Sequence, residues 1–356
     1  MSKHYFAGAN TPDGFYSCFN NILPLSKTNK KIYIKGGSGT GKSTLMKRTA
    51  ALFEEKGHKT ETFHCSNDAE SIDGISIPDC GIAVVDATAP HPADPQMPVV
   101  IDEIFDTAVF LDNRALSGHK KQLIEYSTDK KATYERAYGY LKAARNIHCL
   151  NEKIYRSALN QGALNSYIVE TLKIFSDTNA NGRNAVNREL FATAITPDGL
   201  KSLISSALGA GKTYILNNEE ATGTNDFLKA VQSKVNLLAL DTVSFKCPLE
   251  PEKTEHLYIP LLDIAFITSN QYHRYEPERE NEKIYFKAFL NTQELEKYKS
   301  EIDYNRGIFD GLLQKAVRTM AAAKEIHAEI ENIYGAAMDF KKMNKAYDGV
   351  LGKLQG

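Results

Sequence analysis

The sequence predicts an α/β protein built as two tandem copies of a three-layer unit around a mostly parallel sheet. Three observations predict it. A glycine-rich loop joins a β-branched run to an amphipathic helix between Lys31 and Lys47; an almost wholly apolar run, Gly81 to Asp86, follows it; and three stretches of the first half recur in the second. Strands alternating with helices imply a doubly wound sheet, whose ligands sit beyond the carboxyl ends of the strands.

The loop comes first. Ile32-Tyr33-Ile34 reads as a strand, and Gly36, Gly41, Lys42 and Ser43 satisfy G-x-x-x-x-G-K-[ST], the phosphate-binding pattern. Glycines let backbone N–H groups turn onto phosphate oxygens, and the helix N-terminus adds unsatisfied donors and a partial positive charge. In this reading Gly36, Gly37, Ser38, Gly39, Thr40, Gly41, Lys42, Ser43 and Thr44 cradle a nucleoside triphosphate. Lys42 reaches the β and γ phosphates, and Ser43 is a ligand of Mg²⁺. The helix runs from about Ser43 to Lys56, with Leu45, Met46, Thr49, Leu52 and Phe53 on one face and Gly57 as its stop.

Lys59 to Cys65 reads as a second strand. Gly81 to Asp86 is a third, apolar enough to be buried on both faces. Asp86 ends it, and so should lie beside the glycine-rich loop as a second magnesium ligand and catalytic partner of Lys42. The stretch from Ala87 to Phe105 opens rich in proline, which excludes a continuous helix or a central strand, and reads as an active-site loop. Ala87, not glutamate, follows Asp86, so the general base is unassigned; His91, Asp102 and Glu103 are the candidates this loop offers. From Ala115 to about Phe175 the apolar spacing is helical.

The repeat is explicit. T-P-D-G after F-A-x-A stands at Thr11 and again at Thr196, an offset of 185; His64 to His91 laid over Lys246 to His273, an offset of 182, gives seven identities in 28 positions; and Ala143-Ala144, His148 and Ile154-Tyr155 recur 179 residues on as Ala322-Ala323, His327 and Ile333-Tyr334. The chain therefore divides near residue 184, into an active copy over 1–183 and a degenerate copy over 184–356, across the polar, breaker-rich join 176–184. In the second copy Gly223 takes the place of Gly41, but Thr224 replaces Lys42, Asn225 replaces Ser43 and Thr268 replaces Asp86, while Glu219 and Glu220 enter the loop. A carboxylate pair repels triphosphate, so this copy has no nucleotide site of its own. Its expected purpose is scaffold, partner surface or substrate site. The recurring Cys65/His91 and Cys247/His273 admit a metal site, but a buried thiol and a backbone-bonded histidine explain them with fewer ligands.

Taken together, the loop, the GIAVVDATAPH stretch after it, the T-P-D-G leader and the decayed second copy resemble a bacterial family of duplicated P-loop ATPase-like proteins. The resemblance implies the P-loop NTPase fold, ATP and Mg²⁺ as ligands, and roles for Gly36, Gly37, Gly39, Gly41, Lys42, Ser43, Thr44 and Asp86; it implies no substrate. No N-K-x-D stands at a strand end, which favours ATP over GTP. Three functions remain open: an ATPase, a small-molecule kinase, and a nucleotide-sensing protein with little turnover.

Composition bounds the partners. A net charge of −1 provides no field to recruit nucleic acid or an anionic membrane. No apolar run reaches the length of a membrane span. Five cysteines without C-x-x-C spacing read as reduced thiols of a cytoplasmic protein. The remaining partner is an unidentified small molecule or protein.

Overall fold

The computed structural model describes residues 2–89, 93–178, 183–218, 220, 222–276 and 281–355. In the first half the strand Lys30–Lys35 runs into the glycine-rich loop and the helix Lys42–Glu55, which buries Leu45, Met46, Thr49, Ala50 and Phe53. The sheet order is Lys3–Phe6, Glu61–His64, Ile72–Ile77, Ile82–Asp86, Lys30–Lys35, Asp102–Asp106. Lys30–Lys35 is parallel to both of its neighbours and Lys3–Phe6 is parallel to Glu61–His64, but Ile72–Ile77 is antiparallel on either side. The sheet is thus mixed, though mostly parallel.

Three of these strands were not legible. IDGISI carries an aspartate and a glycine, yet all six residues of Ile72–Ile77 are buried; a side chain at Gly74 would press on Ile22. DEIFD, within the expected loop, forms the edge strand Asp102–Asp106. Lys3–Phe6 forms the opposite edge.

The second half repeats the order strand for strand: Asn187–Leu190, Thr242–Lys246, Thr254–Ile259, Ile264–Ser269, Lys212–Asn217, Asn281–Tyr285. Its helix Thr224–Leu237 occupies the place of Lys42–Glu55. Each T-P-D-G turns a two-stranded hairpin, Gly8–Thr11 with Gly14–Ser17 and Thr193–Thr196 with Gly199–Ser202.

The layering departs from two separate three-layer units. Along each strand alternate residues enter different cores. Ile32, Ile34 and Val84 pack under the helix Lys42–Glu55, whereas Tyr33, Ala83, Val85 and Phe63 face Phe191, Phe245, Tyr258, Ala265 and Ile267 of the other half. The inner faces of the two sheets therefore share one aromatic-rich core instead of each carrying its own second helical layer.

Two helices of 38 residues each, Lys120–Ser157 and Lys299–Ala336, lie antiparallel. Lys130 Nζ is 3.1 Å from His327 Nδ1 near one end, and Asn305 Nδ2 donates to Asn151 Oδ1 at 2.9 Å near the other. Small and flexible side chains, Ala137, Leu141, Ala144, Leu313, Ala316 and Met320, fill the seam. At about 1.5 Å per residue each helix is roughly 57 Å long, enough to carry the chain across to the opposite half. The helix that follows each one then docks there. Leu164 and Ile168 of Gln161–Leu172 enter the core of the second half, and Met343, Tyr347, Val350, Leu351 and Leu354 of Phe340–Gln355 enter that of the first. The division at residue 184 describes the sequence repeat; in space each repeat's last helix belongs to the other's core.

Candidate functional site

Lys35 is followed by a loop whose backbone only glycine tolerates at three places: φ is +150° at Gly36, +71° at Gly39 and +82° at Gly41. Gly36 lies so close to the Thr107 hydroxyl that any Cβ would overlap it. Thr40 is buried and donates to Gly37 O at 2.8 Å, while Thr107 Oγ1 stands 2.9 Å from both Thr40 Oγ1 and Lys35 O with one proton to give to either, so the loop is braced from within.

Lys42 opens the helix. Its ammonium donates to Gly37 O at 2.7 Å and Gly36 O at 3.4 Å, and stands 3.6 Å from Asp86 Oδ2. The register explains the meeting: Ile34 pairs with Asp86 across parallel strands, so both carboxyl ends deliver their polar residues to one edge. Asp86 Oδ1 accepts from Thr88 N at 2.9 Å and its other oxygen faces the lysine. Ser43 Oγ accepts from Ile72 N at 3.1 Å and keeps a second lone pair. Ser38 is partly covered and Thr44 is exposed at the start of the helix. The donor set of Ser43 and Asp86, a hydroxyl and a carboxylate, is of the hard oxygen type that Mg²⁺ takes.

Two candidate bases are excluded by the strand they lie on. Asp102 and Glu103 pair with Lys31 and Ile32, at the beginning of the Lys30–Lys35 strand. Four residues at about 3.3 Å each separate Asp102's partner from the loop end, some 13 Å in all. Asp102 is instead buried, accepting Gln96 N and Met97 N, both at 2.7 Å, and Glu103 pairs with Lys30 at 2.9 Å. His91 lies outside the described residues.

The other half supplies the rest of the site. The long helix Lys299–Ala336 ends over the loop: a Cβ on Gly39 would overlap the Glu331 carbonyl, and one on Gly37 would meet the Tyr334 ring at 3.3 Å. Phe340 and Met343 cover Gly41. The pKa of Glu331 is raised by burial and by nearby Asp68, against the opposing pull of Lys42 and the Gly39 N–H. His327 is held down to about 4 by burial and then by Lys130 and Lys42. Lys324 bridges Asp68 at 3.2 Å and Asp198 at 3.1 Å, one carboxylate from each half. The sequence did contain a signal for these residues: His327 and Ile333-Tyr334 are members of its third repeat match.

The second loop keeps the scaffold and lacks the chemistry. Gly223 has φ +84°, and Leu216 pairs with Thr268 as Ile34 does with Asp86. Glu219 lies outside the described residues. Glu220 is 4% exposed, receives Arg306 Nη2 at 2.6 Å and lies 4.0 Å from His148. The loop thus encloses the Glu220 carboxylate already paired with Arg306. His148, from the first half's long helix, approaches this loop as His327 approaches Lys42 of the other, while Glu152 pairs with Lys253 at 2.6 Å. Cys65 and Cys247 are free thiols whose pKa burial pushes up, and His273 approaches Glu255 at 3.5 Å.

No family model, curated protein or solved structure matches the chain, so its own geometry carries the functional reading. No helix among the described residues is long and apolar enough to cross a membrane.

Proposed function

We propose that the chain is a Mg²⁺-dependent, ATP-binding P-loop NTPase with a single nucleotide site in its first half, where it hydrolyses ATP. The observation that carries this reading is the convergence of Lys42, at the head of its helix, and Asp86, at the end of its strand, 3.6 Å apart beside a loop shaped by three positive-φ glycines. Backbone N–H groups of residues 37–44 would line the phosphates, and Lys42 would leave the Gly36 and Gly37 carbonyls for the β and γ oxygens. Ser43 and Asp86 would hold Mg²⁺, which neutralises charge on the transferred phosphoryl group when bound.

A nucleotide-sensing role with little turnover is the second reading. It is favoured because Ala87 follows Asp86 and because Asp102 and Glu103 are spent at the far end of their strand. Calorimetry with ATP and Mg²⁺, paired with phosphate release, tests both. Saturable binding that Lys42→Ala abolishes supports the site, and unchanged tight binding in that variant removes it. Magnesium-dependent phosphate release separates the hydrolase from the sensor.

A further inference from the structure

Where the first half has its lysine and aspartate, the second has a cavity of about 100 Å³. Its lining brings together the apolar Leu249, Phe309 and Leu313 and the polar Glu255, His273 and Thr268. Thr268 Oγ1 and His273 Nε2 are buried, 2% and 8% exposed by residue, and neither has a hydrogen-bond partner among the described residues. Buried polar atoms are rarely left so, and orphans lining one cavity mark a missing ligand atom.

The charge of that atom follows from the neighbours. Glu220 is matched by Arg306 at 2.6 Å, and Glu250 shares Lys253 with Glu152 at 2.7 and 2.6 Å. Glu255 has no lysine or arginine within 4 Å among the described residues. It receives Thr193 Oγ1 at 2.8 Å and has only two imidazoles beside it, His256 Nε2 and His273 Nε2, each at 3.5 Å. Burial lowers the pKa of His273, which leaves it neutral at pH 7, whereas Glu255 is held down to about 2 despite its burial, chiefly by those histidines and by Thr193. Lys253, which also lines the cavity, is thus spent between two carboxylates, and Lys201 is exposed, so Glu255 is the carboxylate on this lining without a lysine or arginine of its own among the described residues.

A metal ion does not fit the donors. Glu255, His256 and His273 do cluster. However, the Thr268 N–H donates to His256 Nδ1 at 3.1 Å. That bond uses the Nδ1 lone pair and places the ring proton on Nε2, the nitrogen that faces the carboxylate, so it has no lone pair for a metal.

We infer that this cavity binds a small primary amine as its ammonium ion, with a short alkyl body against Leu249, Phe309 and Leu313 and the charged end between Glu255, His273 and Thr268. An ammonium has three N–H donors and no acceptor. Glu255 Oε1 and Thr268 Oγ1 offer two acceptors, and His273 Nε2 is a third in the tautomer that carries its ring proton on Nδ1. The inference is independent of nucleotide binding in the first half.

Calorimetry on the full chain with isobutylammonium and butylammonium chloride tests it, with 2-methylpropan-1-ol as the neutral isostere. Saturable binding of an ammonium ion and none of the alcohol is expected, with affinity reduced about tenfold or more in Glu255→Gln and several-fold in Thr268→Val, both checked for an unchanged melting transition. Lys42→Ala should leave this binding intact. Should Glu255→Gln fail to fold, the alcohol control and Thr268→Val decide. Equal binding of alcohol and ammonium, no binding of either, or Glu255-dependent binding of Zn²⁺ alone overturns the inference. Nα-acetyl-lysine methylamide is the last arm; tighter binding than butylammonium would point to a protein side chain and overturn a free amine.

Discussion

Phe6 and Phe191 exchange both of their backbone hydrogen bonds, Phe6 N to Phe191 O at 2.9 Å and Phe191 N to Phe6 O at 3.0 Å. They are equivalent residues of the two repeats, each first in F-A-x-A, so the pairing places them about a pseudo-twofold axis. The same symmetry recurs farther out: Leu111 bridges Met338 and Leu290 bridges Leu159, pairs related by an offset of 179 (290 − 111 and 338 − 159). Asp112 N to Ala337 O and Asn291 N to Ala158 O, each 2.8 Å, are likewise matched. The molecule is an internal dimer that exchanges its terminal helices.

That exchange makes a fragment prediction. A chain cut after residue 183 leaves the first half without Met343, Tyr347, Val350, Leu351 and Leu354, all buried in its core. Five such side chains at about 1.5–3 kcal/mol each total roughly 10 kcal/mol, comparable to the whole stability of an ordinary domain. The 1–183 fragment alone should show no cooperative thermal transition, and co-expression with 184–356 should restore one. A sharp melt of the isolated fragment would contradict the exchanged arrangement.

Gly39 gives a sharper test of the contact between loop and helix end. Gly39→Ala must place a side chain at φ +71° and against the Glu331 carbonyl. The left-handed backbone costs about 1–2 kcal/mol before the overlap is relieved. A stability loss of about 2 kcal/mol or more is expected in denaturant unfolding, whereas Gly57→Ala, at φ +86° but in open space, should show the backbone cost alone. Equal losses at the two positions would mean that the helix end does not press on the loop.

His327 sets a pH dependence. Its folded pKa, about 4, lies below the ordinary value of 6.5 because burial and the nearby Lys130 and Lys42 disfavour its charged form. A depressed histidine contributes stability that is complete above pH 6.5 and is lost as pH falls from there towards 4. His327→Gln should therefore flatten the wild-type decline in melting temperature across that window. An unchanged slope between pH 6.5 and 4 would assign the decline to other groups.

Part of this was legible in the sequence and part was not, for physical reasons. The strand Lys30–Lys35, the helix Lys42–Glu55 and the position of Asp86 all follow from local signals: β-branched residues, glycines that need positive φ, and an apolar run ended by a carboxylate. Ile72–Ile77 escaped because its pairing, not its composition, makes it a strand. Asp102 and Glu103 were misplaced because nearness in sequence to a loop does not reveal at which end of a strand a residue enters the sheet. The crossing of the terminal helices escaped because periodicity shows that a helix has an apolar face but not which core receives it.

Glu331 offers the last prediction, and it rests on nucleotide binding at the first loop. Its carboxyl group lies within the influence of the Gly39 N–H and of Lys42, two groups a triphosphate would also need. Burial raises its pKa, so the carboxylate's charge is costly where it stands, and a bound phosphate chain would add like-charge repulsion. Glu331→Gln preserves shape and removes the charge. ATP affinity by calorimetry is expected to rise several-fold, with the increase shrinking in high salt as screening weakens the repulsion it relieves. Tighter binding in Glu331→Gln with no change in Tyr334→Phe would identify the carboxylate as a competitor for the loop. Weaker binding would mean instead that Glu331 helps hold the nucleotide, directly or through the backbone of Gly39.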